Sequence, residues 1–226
     1  LDTEKIVNPK EWLKKAEKFV EQHKQAVTIG LAVVIALPLV WFAYQKWYQE
    51  PRNQEAYDLM FKAEQYFGLD SFNLALNGRG DVTGFATIAE DYANTPAGNL
   101  AHYYAGICCL RLGRYEEAID YLKDFSSSDV MVSAMALGAI GDCYRELNQS
   151  EKAVDYYLKA ARRRPNNFTT PIFLKKAAIT YEEDLNNLDK AIALFSEIER
   201  EYPTTREGQE IPKYLARARA KAGITE

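Results

Sequence analysis

The chain has 226 residues, 47% hydrophobic and 27% charged, with a net charge of −4. That balance fits one good-sized globular domain plus an appendage, and excludes a disordered tail, a collagen-like fibre and a polytopic membrane protein. The acidic excess gives no basic field for nucleic acid, whose binding depends on neutralising phosphates. Chemistry-bearing residues are sparse: His23 and His102 lie far apart, and Cys108, Cys109 and Cys143 show no CxxC spacing. No metal site, disulfide framework or cofactor is implied, and the chain is read as a non-enzyme.

In chain order, Asn8-Pro9 reads as a helix cap followed by proline at the first helical position. Trp12, Leu13, Ala16, Phe19 and Val20 then recur on one face, with lysines and glutamates opposite. Residues 1–25 are open to three readings: a helix lying along a membrane surface, one docked on a partner, or a solvated lead-in.

From Ala26 to Tyr44 nineteen consecutive residues carry no charge. As a helix they extend ~28 Å, close to the ~30 Å hydrocarbon core of a bilayer. Trp41, Tyr44, Trp47 and Tyr48 supply an aromatic belt at the far end, which neither a core helix nor a cleaved signal peptide requires. Pro38 is tolerated in a membrane helix, where it is expected to kink the span. Residues 26–48 are therefore read as a membrane anchor in contact with lipid. Lys14, Lys15, Lys18 and Lys24 precede it, against Lys46 and Arg52 after it. The positive-inside rule keeps residues 1–25 in the cytoplasm and carries residues 49–226 across the membrane.

Beyond residue 50 the sequence repeats itself. Gly106, Gly113, Tyr115 and Ala118 mark one unit; Gly141, Tyr144, Ala153, Tyr157, Ala160 and Pro165 mark a second; Ala178, Tyr181, Ala191, Phe195 and Pro203 mark a third. Gly106 to Gly141 and Ala118 to Ala153 are both 35 residues, and Ala153 to Ala191 is 38, so the third unit carries a small insertion. Each unit reads as two amphipathic helices, with small residues at their close approach and an aromatic ring filling the groove between. Stability then comes from stacking neighbours. A degenerate unit is expected over residues 53–97. Its first helix carries Ala56, Ala63 and Tyr66, a longer loop runs from Leu69 to Gly84, and its second helix ends at Pro96. Residues 206–222 are read as a capping helix.

On these positions residues 98–203 resemble tetratricopeptide repeats. The resemblance implies an all-α fold: a single N-terminal transmembrane helix, then a right-handed superhelix of antiparallel helix pairs with a C-terminal cap. It also implies a protein-binding groove lined by the first helix of each pair. By register these positions are Tyr103, Tyr104, Ile107 and Arg111; Met135, Asp142, Arg145 and Glu146; and Lys175, Lys176, Ile179 and Glu182. Only one of Tyr103 and Tyr104 is expected to face the groove. The family's carboxylate clamp has a lysine followed four residues later by asparagine; here Lys175 is followed by Ile179, so that pattern is broken.

Other candidates have bland readings beside them. The cysteines read as buried inert thiols, against a thiol–disulfide role. Arg162, Arg163 and Arg164 close a helix, where cations favour the negative end, against a phosphate or lipid-headgroup site. His102 reads as structural. The sequons Asn148-Gln149-Ser150 and Asn167-Phe168-Thr169 matter only in a glycosylating compartment.

The whole architecture resembles the YfgM family of ancillary translocon subunits. That resemblance implies a single-pass inner-membrane protein with a periplasmic domain. Its partners would be a SecYEG-type translocon, a PpiD-type peptidyl-prolyl isomerase and exported polypeptides. The acidic domain, with 21 cations and 27 anions beyond residue 48, suits a periplasmic module. The alternative is a generic cell-envelope scaffold organising another membrane assembly.

Overall fold

The computed structural model describes residues 9–224, which divide at Pro51/Arg52 into two compact units. In the first unit, α1 (Pro9–Gln22) opens on proline, whose missing N–H falls where no helical bond is made. Asn8, the expected cap, lies outside the described residues. The backbone leaves helical geometry at His23 (φ −118°, ψ 29°), and α2 (Lys24–Tyr44) then takes up the charge-free stretch, with Pro38 inside it. A π-helical segment, Gln45–Gln49, follows. α2 is long and apolar enough to cross a membrane, and none of its residues is buried within the protein. Trp41, Tyr44, Trp47 and Tyr48 are likewise exposed.

The second unit holds nearly all of α3 (Glu50–Gly68), then α4 (Phe72–Asn77), β1 (Gly78–Arg79), β2 (Val82–Thr83) and α5 (Phe85–Asp91). The helices α6 (Pro96–Arg111), α7 (Tyr115–Asp124), α8 (Val130–Glu146), α9 (Ser150–Arg163), α10 (Thr170–Glu183), α11 (Leu188–Glu201) and α12 (Arg206–Lys221) complete it. Two expectations need correction. Leu69 to Gly84 is not a plain loop: it holds α4 and an antiparallel hairpin pairing Gly78 with Thr83 and Arg79 with Val82. Strands of two residues carry no readable alternation, so the sequence showed only their turn residues. Nor does Pro96 end a helix. It begins α6, capped by Thr95, whose side chain accepts from the Gly98 N–H at 3.0 Å.

Three helix pairs form the array: α6 with α7, α8 with α9, and α10 with α11. Short turns force each pair antiparallel. Gly113, Asn148 and Asn186 sit in those turns at positive φ, the conformation glycine and asparagine tolerate best. The backbone closes the first two turns identically, Arg114 N donating to Cys109 O and Gln149 N to Tyr144 O, both at 2.8 Å. The third turn has one extra residue and closes from Asn187 N to Tyr181 O at 2.7 Å. Part of the 38-residue spacing is absorbed there.

The small signature residues are where the helices touch. Ala118, Ala153, Ala178 and Ala191 are fully buried. A Cβ at Gly141 would lie 2.6 Å from Cε1 of the Tyr157 ring and 3.2 Å from the Ala153 carbonyl oxygen. Two apolar cores result, one beneath α3–α8 and one beneath α8–α12, with residues of α8 in both. Gly141→Leu is therefore expected to destabilise the repeat unit by ~3 kcal/mol or more, because overpacking here meets a ring and a backbone carbonyl. Circular dichroism melts of the full chain in detergent check this; an unmoved melting temperature would contradict the register.

Candidate functional site

α6, α8 and α10 are the first helices of successive pairs, and charges hold α8 and α10 together. Lys176 Nζ donates to both oxygens of Asp142 at 2.7 Å. Arg145 Nε donates to Asp184 Oδ2 at 2.8 Å, and Arg145 Nη2 to Glu183 Oε2 at 3.1 Å. Partners separated by 34 to 39 positions, near one repeat length, mean that these two helices run parallel. The Asp184 hydrogen bond pushes the Arg145 guanidinium further above its ordinary pKa, against the opposing effect of burial.

A cleft of about 700 Å³ lies along these helices. α6 supplies Tyr103, Ile107, Leu110 and Arg111 to its wall. α8 supplies Met135, Ala139, Asp142, Arg145 and Glu146, and α10 supplies Ile172, Phe173 and Lys176. Tyr115 of α7 and Tyr157 of α9 also reach it from the second helices. The Tyr157 phenol donates to Asp142 Oδ1 at 2.7 Å, and burial together with the Asp142 charge raises its pKa, so it stays neutral. Tyr115 Oη donates to Glu146 Oε2 at 3.3 Å.

Eight of the sequence-selected positions thus line one cleft: Tyr103, Ile107, Arg111, Met135, Asp142, Arg145, Glu146 and Lys176. Four face elsewhere. Tyr104 stacks on Phe85 at 4.8 Å and meets Phe67 edge-on at 5.1 Å, packed against the first core. Ile179 packs on the second core. Lys175 turns to α12, donating to Glu210 Oε2 at 2.6 Å with its ammonium 4.7 Å from the Tyr214 ring centre. Glu182 is buried and receives Arg217 Nε at 2.8 Å, Arg217 Nη2 at 2.7 Å and Lys221 Nζ at 2.8 Å. The physical reason is angular: neighbouring residues on a helix differ by about 100°, so Lys175 and Lys176 serve opposite neighbours. Selecting first helices only also missed Tyr115 and Tyr157, which reach the cleft from the second helices.

The remaining candidates are occupied. Arg162 Nη2 donates to Glu197 Oε2 at 2.8 Å, Arg163 Nη2 to Ser127 O at 3.3 Å and Arg164 Nη1 to Ser128 O at 3.1 Å. These arginines tie the segment before α8, and α11, to the end of α9. His102 Nδ1 lies 2.9 Å from Gly98 O, and its ring meets Tyr121 edge-on. Cys108, Cys109 and Cys143 are buried free thiols, and burial pushes them up to about 12, 11 and 12. Among the described residues no cluster of three His, Cys, Asp or Glu side chains stands ready for a metal.

Models of the tetratricopeptide repeat match residues 85–129, 135–167 and 176–205. The first begins at α5, thirteen residues before the expected start at 98, and takes in α6 and α7. No curated protein matches the chain at a significant level. Residues 85–205 therefore carry tetratricopeptide repeats, whose stacked helices are suited to binding other proteins.

Two outcomes follow from these environments. Burial alone would raise the Glu182 pKa, but hydrogen bonds from Arg217 and Lys221 outweigh it and hold the carboxyl below its ordinary 4.5. A depressed folded-state pKa contributes stability that is complete above the unfolded value and is lost as pH falls through the folded one. The side chains of Arg217 and Lys221 are 41% and 49% exposed, so solvent screens the pair. Glu182→Gln is expected to lower stability by about 1–2 kcal/mol above pH 5, the difference from wild type shrinking as pH drops below about 4.5. Denaturant melts at stepped pH measure it. The three cysteines are expected to resist maleimide at pH 7.5 until denaturant is added, which mass spectrometry of the adducts reads directly.

Proposed function

We propose that this chain is a membrane-anchored, non-catalytic adapter whose cleft receives a polypeptide segment from a partner protein. The observation that carries this reading is the cleft itself: successive first helices bring aromatic, aliphatic and charged side chains to one cleft. Its size falls in the range of sites that enclose a ligand, of ~300–1,000 Å³. α2 supplies the anchor, and the lysines ahead of it favour a cytoplasmic N-terminus with residues 49–226 on the periplasmic side. In that setting the resemblance to the YfgM family gives the adapter its place, beside a SecYEG-type translocon and a PpiD-type peptidyl-prolyl isomerase, assisting exported polypeptides.

Purification of the tagged full chain in mild detergent, with mass spectrometry of what accompanies it, tests the assignment. Translocon subunits and a peptidyl-prolyl isomerase are the expected companions. An unrelated envelope complex without translocon subunits would replace this job with that of a general scaffold. Orientation has its own check: protease added to spheroplasts should digest residues 49–226 and spare residues 1–25. The reverse pattern would place the repeats in the cytosol.

A further inference from the structure

Most charges around the cleft already have partners. Asp142 holds Lys176 and accepts from Tyr157, while Arg145 is engaged by Asp184 and Glu183. Glu146 is in no ion pair among the described residues, but it accepts the Tyr115 hydroxyl. Arg111, the last residue of α6, lines the same cleft, is exposed, and has no hydrogen-bonding or ionic partner among the described residues. A guanidinium with five unused donors is a recognition group in waiting.

The cleft also has two unlike ends. Tyr103, Met135 and Ile172 come from the first halves of their helices and make one end apolar. Arg111, Arg145 and Glu146 come from the last turns of theirs and, beside Leu110 and Tyr115, place charge at the other end. From Tyr103 to Arg111 is eight residues of helix, ~12 Å. An extended chain covers that distance in about four residues.

Resting on the reading of the cleft as a polypeptide site, we infer that its occupant is an extended segment with an apolar side chain at one end and a carboxylate about four residues away, the carboxylate being received by Arg111. The planar guanidinium fork matches two carboxylate oxygens.

The test uses the full chain in detergent and two fluorescein-labelled decapeptides. One carries a Leu-Phe pair followed four residues later by one glutamate; the other replaces that glutamate by glutamine. The acidic peptide is expected to bind roughly five- to tenfold tighter than its twin. Arg111→Gln should abolish that preference while leaving the affinity of the glutamine peptide and the melting temperature unchanged, and Arg111→Lys should restore part of it. Equal affinity for both peptides, or a preference that survives Arg111→Gln, overturns the assignment of Arg111 and leaves the cleft standing. Failure of both peptides to bind removes the cleft as a polypeptide site, and this inference with it.

Discussion

The close approach of α8 and α9 at Gly141 governs the geometry of the cleft. Because residue 141 lacks a side chain, the Tyr157 ring lies across the backbone of α8, where any Cβ would meet it at 2.6 Å. So placed, its phenol reaches Asp142 at 2.7 Å, and Asp142 in turn takes both its hydrogen bonds to Lys176 from α10. One missing methyl group thus sets the spacing within a repeat, orients a carboxylate, and fixes where the next repeat docks. Gly106 serves the first pair similarly, where an added Cβ would meet Leu122 Cγ at 2.5 Å. In the third pair the corresponding residue is Ala178, which is fully buried.

These contact positions were legible in the sequence because they recur every 35 to 38 residues and tolerate so few residue types. Charges were harder to place. Lys175 and Glu182 were assigned to the groove by register, yet both work between repeats. The signal that would have placed them is the same period: Lys175 and Glu210, Glu182 and Arg217, and Arg162 and Glu197 are opposite charges 35 residues apart. Read within one repeat, each is an ordinary exposed charge. Read across the period, each is a bond between parallel helices. The half-exposed Arg162–Glu197 pair adds register more than stability, since exposed pairs contribute only ~0–1 kcal/mol, whereas the buried Glu182 carboxylate stabilises the array as well.

Helix boundaries failed for a related reason. Proline after an apolar stretch reads equally well as a stop or a start, and Pro96 is a start. The decisive neighbours are Tyr92, Thr95 and Gly98, which recur as Tyr202, Thr205 and Gly208. In both places the threonine hydroxyl donates to the tyrosine carbonyl at 2.8 Å and accepts from the glycine N–H, at 3.0 and 3.1 Å respectively. The glycine is required because the tyrosine carbonyl occupies the space a Cβ would take. α12 is therefore built at its start like α6, the first helix of a pair, although the sequence alone reads it as a cap.

That equivalence bears on how the cleft behaves as a whole. In a stacked array each repeat contacts only its neighbours, so end repeats open more readily than central ones. Here residues of α8 enter both cores, and the cleft is walled by α6, α8 and α10. A segment lying along it touches three successive first helices, and its full contact surface exists only while both intervening interfaces are formed. Binding energy therefore adds to the cohesion of the array, by RT ln(1 + [L]/Kd) for a ligand with no affinity for opened forms. An occupied cleft ties α10 and the helices stacked on it to α6, and an empty one leaves that task to the Asp142–Lys176 and Arg145–Asp184 bonds between α8 and α10. The same charged groups that hold the empty cleft in register are thereby unavailable to a ligand, which is why its recognition falls to the one lining cation that the array does not use.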